Sequence, residues 1–132
     1  MHTGSYRWVG RRLLNAEELA SWARMQGFDD LVPSAWHLTV ASNGEGIIAD
    51  RQTMILRASS RRRVTRMGGL IVLELASSRL QHRHREILGQ DAGRYKPHVS
   101  FTPDDRRDLT AVAPFSGTLR FGPEETSWEG RF

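Results

Sequence analysis

Apolar positions recur along this chain with two different periods, and each change of period marks a new element. Residues 6–9 predict a short first strand. Beyond them Leu19, Trp22, Ala23 and Gln26 fall at helical spacing. Asn15 stands where an N-cap belongs, Glu18 completes a capping box, and Leu14 and Leu19 are placed for a hydrophobic staple. Gly27 follows the last periodic position as a C′ residue does, so the pattern predicts a helix over residues 16–26. Residues 36–41 alternate with period two and predict a strand; residues 43–46, Asn-Gly-Glu-Gly, read as a turn. Residues 52–58 predict another strand, and residues 69–76, rich in Leu, Ile and Val, a buried one.

Ser78, with Gln81 at N3, opens a second helix. Leu80, His84, Ile87 and Leu88 form its inner face and Gly89 ends it. A strand over 97–102, a turn or single helical turn over 104–108 and a last strand over 117–121 complete the chain. The order β-α-β-β-β-α-β-β contains two β-α-β-like halves. The expected fold is α+β, a sandwich with a sheet-lined groove, within a single domain spanning residues 1–132.

One short pattern occurs twice. Residues 37–40 are His-Leu-Thr-Val and residues 98–101 are His-Val-Ser-Phe. Side chains alternate across a strand, so His37 shares a face with Thr39, and His98 with Ser100. Leu38, Val40, Val99 and Phe101 take the opposite faces and anchor each strand in the core. Each motif alone describes an ordinary polar residue at a sheet surface. Together, 61 positions apart (98 − 37) in equivalent halves, they place two imidazoles and two hydroxyls for convergence on one cleft. That set suits phosphodiester cleavage. A neutral imidazole accepts a proton from the attacking hydroxyl or water, and an imidazolium protonates the leaving oxygen. Thr39 and Ser100 donate hydrogen bonds to the non-bridging oxygens, which gain charge in the transition state. The scheme calls for no metal and no cofactor.

Composition adds less. There are no cysteines among the 132 residues, which excludes disulfides and thiolate metal sites. The longest apolar stretch, residues 67–76, is broken by Glu74 and too short to span a bilayer, so a soluble, intracellular protein is expected. The net charge is +4, and Lys96 is the only lysine among the 19 basic residues. Guanidinium groups match phosphate oxygens, although an arginine-rich codon usage produces the same composition. The basic stretch Arg57, Arg61, Arg62, Arg63 and Arg66 reads either as a solvated loop or as a phosphate-contacting patch. His82 and His84 sit at i and i+2 of the second helix, point apart and read as structural rather than as metal ligands. His2 lies in the start of the chain, and Trp128, Glu129 and Phe132 form an aromatic end that reads as a packed terminus or a lid.

His-Leu-Thr-Val and Tyr95-x-Pro97-His98-Val-Ser-Phe resemble the two signature motifs of the two-histidine phosphoesterase superfamily. The resemblance implies a bilobal fold of two pseudo-symmetric β-α-β lobes, with antiparallel sheets lining a central cleft. It implies that His37 and His98 are catalytic and that Thr39 and Ser100 bind phosphate. Within that superfamily, the stretch Trp8-Val-Gly-Arg-Arg-Leu-Leu-Asn-Ala-Glu-Glu-Leu, Gln26-Gly-Phe, Leu31-x-Pro33, Tyr95-Lys96-Pro97-His98 and Phe121-Gly122-Pro123-Glu124 are similar to phage anti-CBASS phosphodiesterases, which degrade cyclic oligonucleotide alarm signals. By that likeness Trp8, where such enzymes usually carry tyrosine, lies against a nucleobase, and Glu124 contacts a base edge. Read from the residues alone, Trp8 is equally a core aromatic. The implied partners are cyclic oligonucleotide second messengers, with no membrane and no stable complex with long nucleic acid, and the implied location is the cytoplasm of a bacterial host. The same superfamily contains RNA-end enzymes that open 2′,3′-cyclic phosphates or process 2′,5′ linkages, and a non-catalytic nucleotide sponge would keep the same cleft. The chain carries no sequence signature of an oligomer interface.

Overall fold

A computed structural model describes residues 5–90 and 93–127, with side chains from Arg7 onward; His2 and the aromatic end at Trp128, Glu129 and Phe132 lie outside the described residues. The elements run β1 (Ser5–Tyr6), β2 (Trp8–Leu13), α1 (Ala16–Met25), β3 (His37–Ala41), β4 (Gly44–Glu45), β5 (Met54–Leu56), β6 (Arg62–Met67), β7 (Leu70–Leu75), α2 (Ser78–Leu88), β8 (His98–Pro103) and β9 (Leu119–Ser127). Among the described residues seven strands form one curled antiparallel sheet in the order β5-β9-β2-β3-β8-β7-β6, and β1 pairs separately with β4. The fold is thus mixed helix and strand, as the periodicities predict. The two strands that carry the histidines, β3 and β8, adjoin in the middle of this sheet.

Both helices lie on one side of this sheet. Trp22 of α1 packs edge-on against Phe101 of β8 at 5.3 Å between ring centres, and Phe28 meets the same ring at 5.2 Å. Phe101 shares its strand face with Val99. The α2 side chain Arg83 reaches Glu124 of β9. Glu124 stands opposite Arg11, and Arg11 opposite Leu38, so this contact is also on the Leu38 side. Leu38, Val40 and Val99 are fully buried there, with Leu19, Ala20 and Ala23 of α1 and Leu80 of α2.

Helix α1 ends as its glycine predicts. Gly27 has φ +88°, its N–H reaches Arg24 O at 2.9 Å, and Phe28 N–H reaches Ala23 O at 3.0 Å. These are the paired bonds of a Schellman motif. Arg107 adds to them by donating to the carbonyls of Gln26 and Gly27 while its guanidinium lies 3.9 Å from the Phe28 ring centre. The start of α1 differs from expectation. The Asn15 side chain accepts from no N–H of the helix; its amide donates to the Glu18 carboxylate and to Thr118 O, and its oxygen accepts from Arg120 N, which fastens α1 to β9. Leu14 is 57% exposed, so the staple is absent. On α2 the N-cap is Ser77, one residue before the expected Ser78; its hydroxyl accepts from Leu80 N at 3.1 Å. Leu88, placed on the inner face by periodicity, is exposed.

Three further corrections concern strands. The first long strand is Trp8–Leu13 rather than residues 6–9, and Arg11 within it is buried and paired. Gly44–Glu45 of the expected turn forms the short strand β4. Of the arginine-rich segment, Arg62, Arg63 and Arg66 lie on strand β6 rather than in a loop, and β6 is joined to β7 by the two-residue turn Gly68-Gly69 with φ +55° and +81°. Positive φ at both positions is the type I′ geometry that suits a hairpin's twist. Arg62 turns inward and donates to the carbonyls of Phe115, Gly117, Leu56 and Arg57; Arg63 pairs with Glu74 and Arg66 with Asp104.

A buried ion cluster ties β2, β9, α2 and the loop before β5. Arg11, 2% exposed, bonds Asp50 at 2.9 Å and the carbonyls of Gln52 and Gly122. Arg83 grips Glu124 through two bonds of 2.7 and 2.8 Å. The Asp50 carboxyl is held below its ordinary 3.8, first by the Gln52 backbone N–H and then by Arg11 and Arg79. A carboxyl whose folded pKa is depressed contributes stability above its unfolded pKa and loses it as pH falls through the folded value. Asp50→Asn is therefore expected to lower stability at neutral pH and to flatten its loss below about pH 4, read as denaturation midpoints of both proteins at several pH values.

Candidate active site

Strands β3 and β8 adjoin through a single registered pair, Leu38 opposite Val99. Both residues are completely buried. An antiparallel register that sets these two opposite each other brings His37 alongside Ser100 and Thr39 alongside His98. All four polar side chains stand half-buried on the sheet face away from the helices. The structure thus brings together the four residues that the paired motifs single out.

The imidazoles are held alike. His37 Nδ1 lies 3.0 Å from Ala35 O, and His98 Nδ1 lies 2.8 Å from Lys96 O, in each case the carbonyl two residues earlier. A carbonyl only accepts, so each Nδ1 carries a hydrogen. In the neutral ring that leaves the Nε2 lone pair as the basic position; in the charged ring Nε2–H is an acid.

Trp8 lies beside them. Its Nε1 donates to Thr39 Oγ1 at 2.9 Å, and its ring meets the His37 ring nearly perpendicularly at 5.4 Å. The indole is only 4% exposed and crosses the backbone at Gly10. A Cβ at Gly10 would stand 2.1 Å from Trp8 Cζ2 and 2.7 Å from Leu38 O, so only glycine allows this approach. Because Thr39 Oγ1 accepts from Trp8, its own hydrogen is directed elsewhere.

On the other side of the seam Tyr95 fills the gap beside β3. Its hydroxyl donates to Thr39 O at 2.6 Å, and burial, followed by the nearby Glu124 charge, pushes the phenol well above its ordinary pKa, so it remains a donor. His84 stacks on the Tyr95 ring at 4.2 Å, nearly parallel, and bonds Val40 O at 2.7 Å. The structural reading of His84 holds, while His82 is exposed on the helix surface near Glu86. Gly10 and the Tyr95–His84 stack are the parts of the site that residue-by-residue reading misses. A glycine inside a strand was the available signal for the first; the second joins residues from α2 and the lead-in to β8, and no local pattern shows it.

Glu124 is not brought to this face. Its side chain is fully buried, on Arg83 and the Asp50 N–H, with Arg11 at 3.9 Å, on the side where the helices pack. A cavity of about 370 Å³ adjoins the histidine face, lined by Thr39 and His98 together with Tyr95, His84, Arg94 and Lys96. Among the described residues no three His, Asp or Glu side chains cluster as metal ligands, and no helix is long and apolar enough to cross a membrane.

Fold and site together define an α+β protein in which twin His-x-Thr/Ser motifs occupy adjoining central strands of one antiparallel sheet. The chain belongs to the anti-CBASS protein Acb1 family, whose model matches residues 4–128. It is 34% identical over 138 residues to an anti-CBASS protein Acb1 from Sphingomonas paeninsulae, covering 89% of this chain and 22% of that protein. It is also 34% identical over 139 residues to one from Caulobacter sp. (strain RHG1), covering 89% of this chain and 21% of that protein. The chain therefore spans about a fifth of the length of these curated relatives.

Gly10→Ala tests the close approach of Trp8. The added methyl forces the indole off the strand, at an overpacking cost of about 1–3 kcal/mol. The expected result is a lower melting temperature with a changed near-ultraviolet signal from tryptophan; an unaltered spectrum and stability would show that the indole does not lie there.

Proposed function

We propose that this chain is a metal-independent phosphodiesterase that hydrolyses 3′,5′ bonds of cyclic di- or trinucleotide immune signals through His37 and His98. The observation that carries the reading is the matched tethering of the two rings through Nδ1, on a face that also carries two hydroxyls. One neutral Nε2 accepts the proton of the attacking hydroxyl or water as the new P–O bond forms. The other, as Nε2–H, gives its proton to the departing oxygen as the old P–O bond breaks. Thr39 and Ser100 donate to the non-bridging oxygens. The Trp8 bond fixes the Thr39 hydroxyl in the acceptor sense on its inner side and so aims its hydrogen outward. Trp8 acts here through Thr39 and the His37 ring, and a nucleobase meets the indole only where its edge is uncovered. Glu124 supports the sheet through Arg83 and Arg11; a base contact would require it to leave both.

Membership of the anti-CBASS family supports a role against CBASS immunity, and hence a ligand among cyclic oligonucleotides in a bacterial cytoplasm. Repetition of the same motif and the same Nδ1 tether on two adjoining strands supports the two-lobed, pseudo-symmetric two-histidine phosphoesterase fold.

Purified protein incubated in EDTA with 3′,3′-cyclic GMP–AMP, cyclic triadenylate and 2′,3′-cyclic AMP is expected to open the first or second. His37→Ala and His98→Ala are each expected to lower the rate by about 10²–10⁴-fold, the usual size of an acid–base contribution. Opening of 2′,3′-cyclic AMP alone would assign the chain to RNA-end processing, and tight binding with unchanged ligand would make it a sponge. The rate is further expected to be bell-shaped in pH, since one ring acts neutral and the other charged; a flat profile from about pH 5 to 9 would remove the paired-histidine mechanism.

A further inference from the structure

The cavity beside Thr39 and His98 has two unlike parts. Its floor is flat and apolar: the Tyr95 ring, stacked on His84, with Met67 beside it. Its rim carries Arg94 and Lys96, both exposed. Among the described residues neither has a carboxylate partner; several other arginines, such as Arg57, Arg61 and Arg120, have none either, but Arg94 and Lys96 are the cations that line this cavity. Two uncommitted cations above an apolar floor describe a site for a flat uncharged group joined to an anion. The volume, about 370 Å³, falls in the range of small-ligand sites.

Position decides which anion. The Lys96 carbonyl tethers His98, so the Lys96 side chain leaves the backbone two residues from the reacting imidazole. The phosphate at the histidines is met by the neutral hydroxyls of Thr39 and Ser100. A cyclic oligonucleotide carries one phosphate per nucleoside, so a second anion must sit one nucleoside away from the first. We infer that this cavity takes the nucleoside next to the reacting phosphate, and that Arg94 and Lys96 bind the second, non-reacting phosphate of the ring. The inference rests on the reading of the ligand as a cyclic oligonucleotide. It makes Arg94 and Lys96 specificity-determining: a 2′,3′-cyclic nucleotide or a linear dinucleoside monophosphate has a single phosphate and gains nothing from them.

The test is binding, which needs no turnover. Calorimetry would compare the unaltered protein with Arg94→Gln/Lys96→Gln, using the cleavage-resistant bisphosphorothioate of 3′,3′-cyclic GMP–AMP and the linear phosphorothioate of GpA, which has one phosphate. The expected result is a loss of about tenfold in affinity for the cyclic ligand, the scale of charge-assisted bonds to a partly solvated anion, with less than about a twofold loss for GpA. Equal losses for the two ligands, no loss for either, or no binding of the cyclic ligand by the unaltered protein would each overturn the subsite. Cleavage by the unaltered protein with undiminished binding in the variant removes the subsite and leaves the phosphodiesterase. Selective loss of cyclic binding without any cleavage by the unaltered protein does the reverse.

Discussion

The pairing of Leu38 with Val99 is the contact on which the site depends. Each is the apolar residue inside a His-x-Thr/Ser motif, and each is fully buried. Burying both against Phe101, Trp22 and Phe28 decides which face of β3 and β8 receives the imidazoles and hydroxyls. A slip of one residue in either strand would drive a histidine into the core and a leucine or valine to the surface. The hydrophobic core thus sets the register, and the register assembles the chemistry.

Around that seam His37, His98 and Thr39 are each fixed by hydrogen-bond partners. The carbonyls of Ala35 and Lys96 each take a histidine Nδ1–H, while Trp8 and Tyr95 act on Thr39 through its hydroxyl and its carbonyl. Donors and acceptors held this way do not have to reorganise when charge develops on a phosphate, which is the usual source of electrostatic catalysis. The close approach that permits it depends on one absent side chain, at Gly10.

The arginine content has a different meaning in the folded chain than in the composition. Arg11 and Arg62 point inward and satisfy backbone carbonyls, and Arg83 neutralises the buried Glu124. Arg107 closes the end of α1. The count of 19 basic residues therefore overstates the positive surface open to an anion.

Local pattern was enough for both helices, for the strands that carry the histidines, and for the face that His37, Thr39, His98 and Ser100 share, because alternation within a strand is a property of the backbone and needs no neighbour. The C-terminus of α1 was equally legible, since a Schellman turn is built from consecutive residues around Gly27. The β6–β7 hairpin was not read from the sequence, although Gly-Gly is a turn signal, because the carboxylate and carbonyl partners of the arginines before it lie elsewhere along the chain. Only the tertiary structure decided that β3 adjoins β8, that Trp8 lies on Gly10, that His84 stacks on Tyr95, and that Glu124 faces the helices with Arg11 and Arg83. The β3–β8 seam and the Glu124 cluster join elements far apart in the chain, and even the contacts within β2 and between α2 and the segment after it are set by how the whole core closes rather than by any run of neighbouring residues.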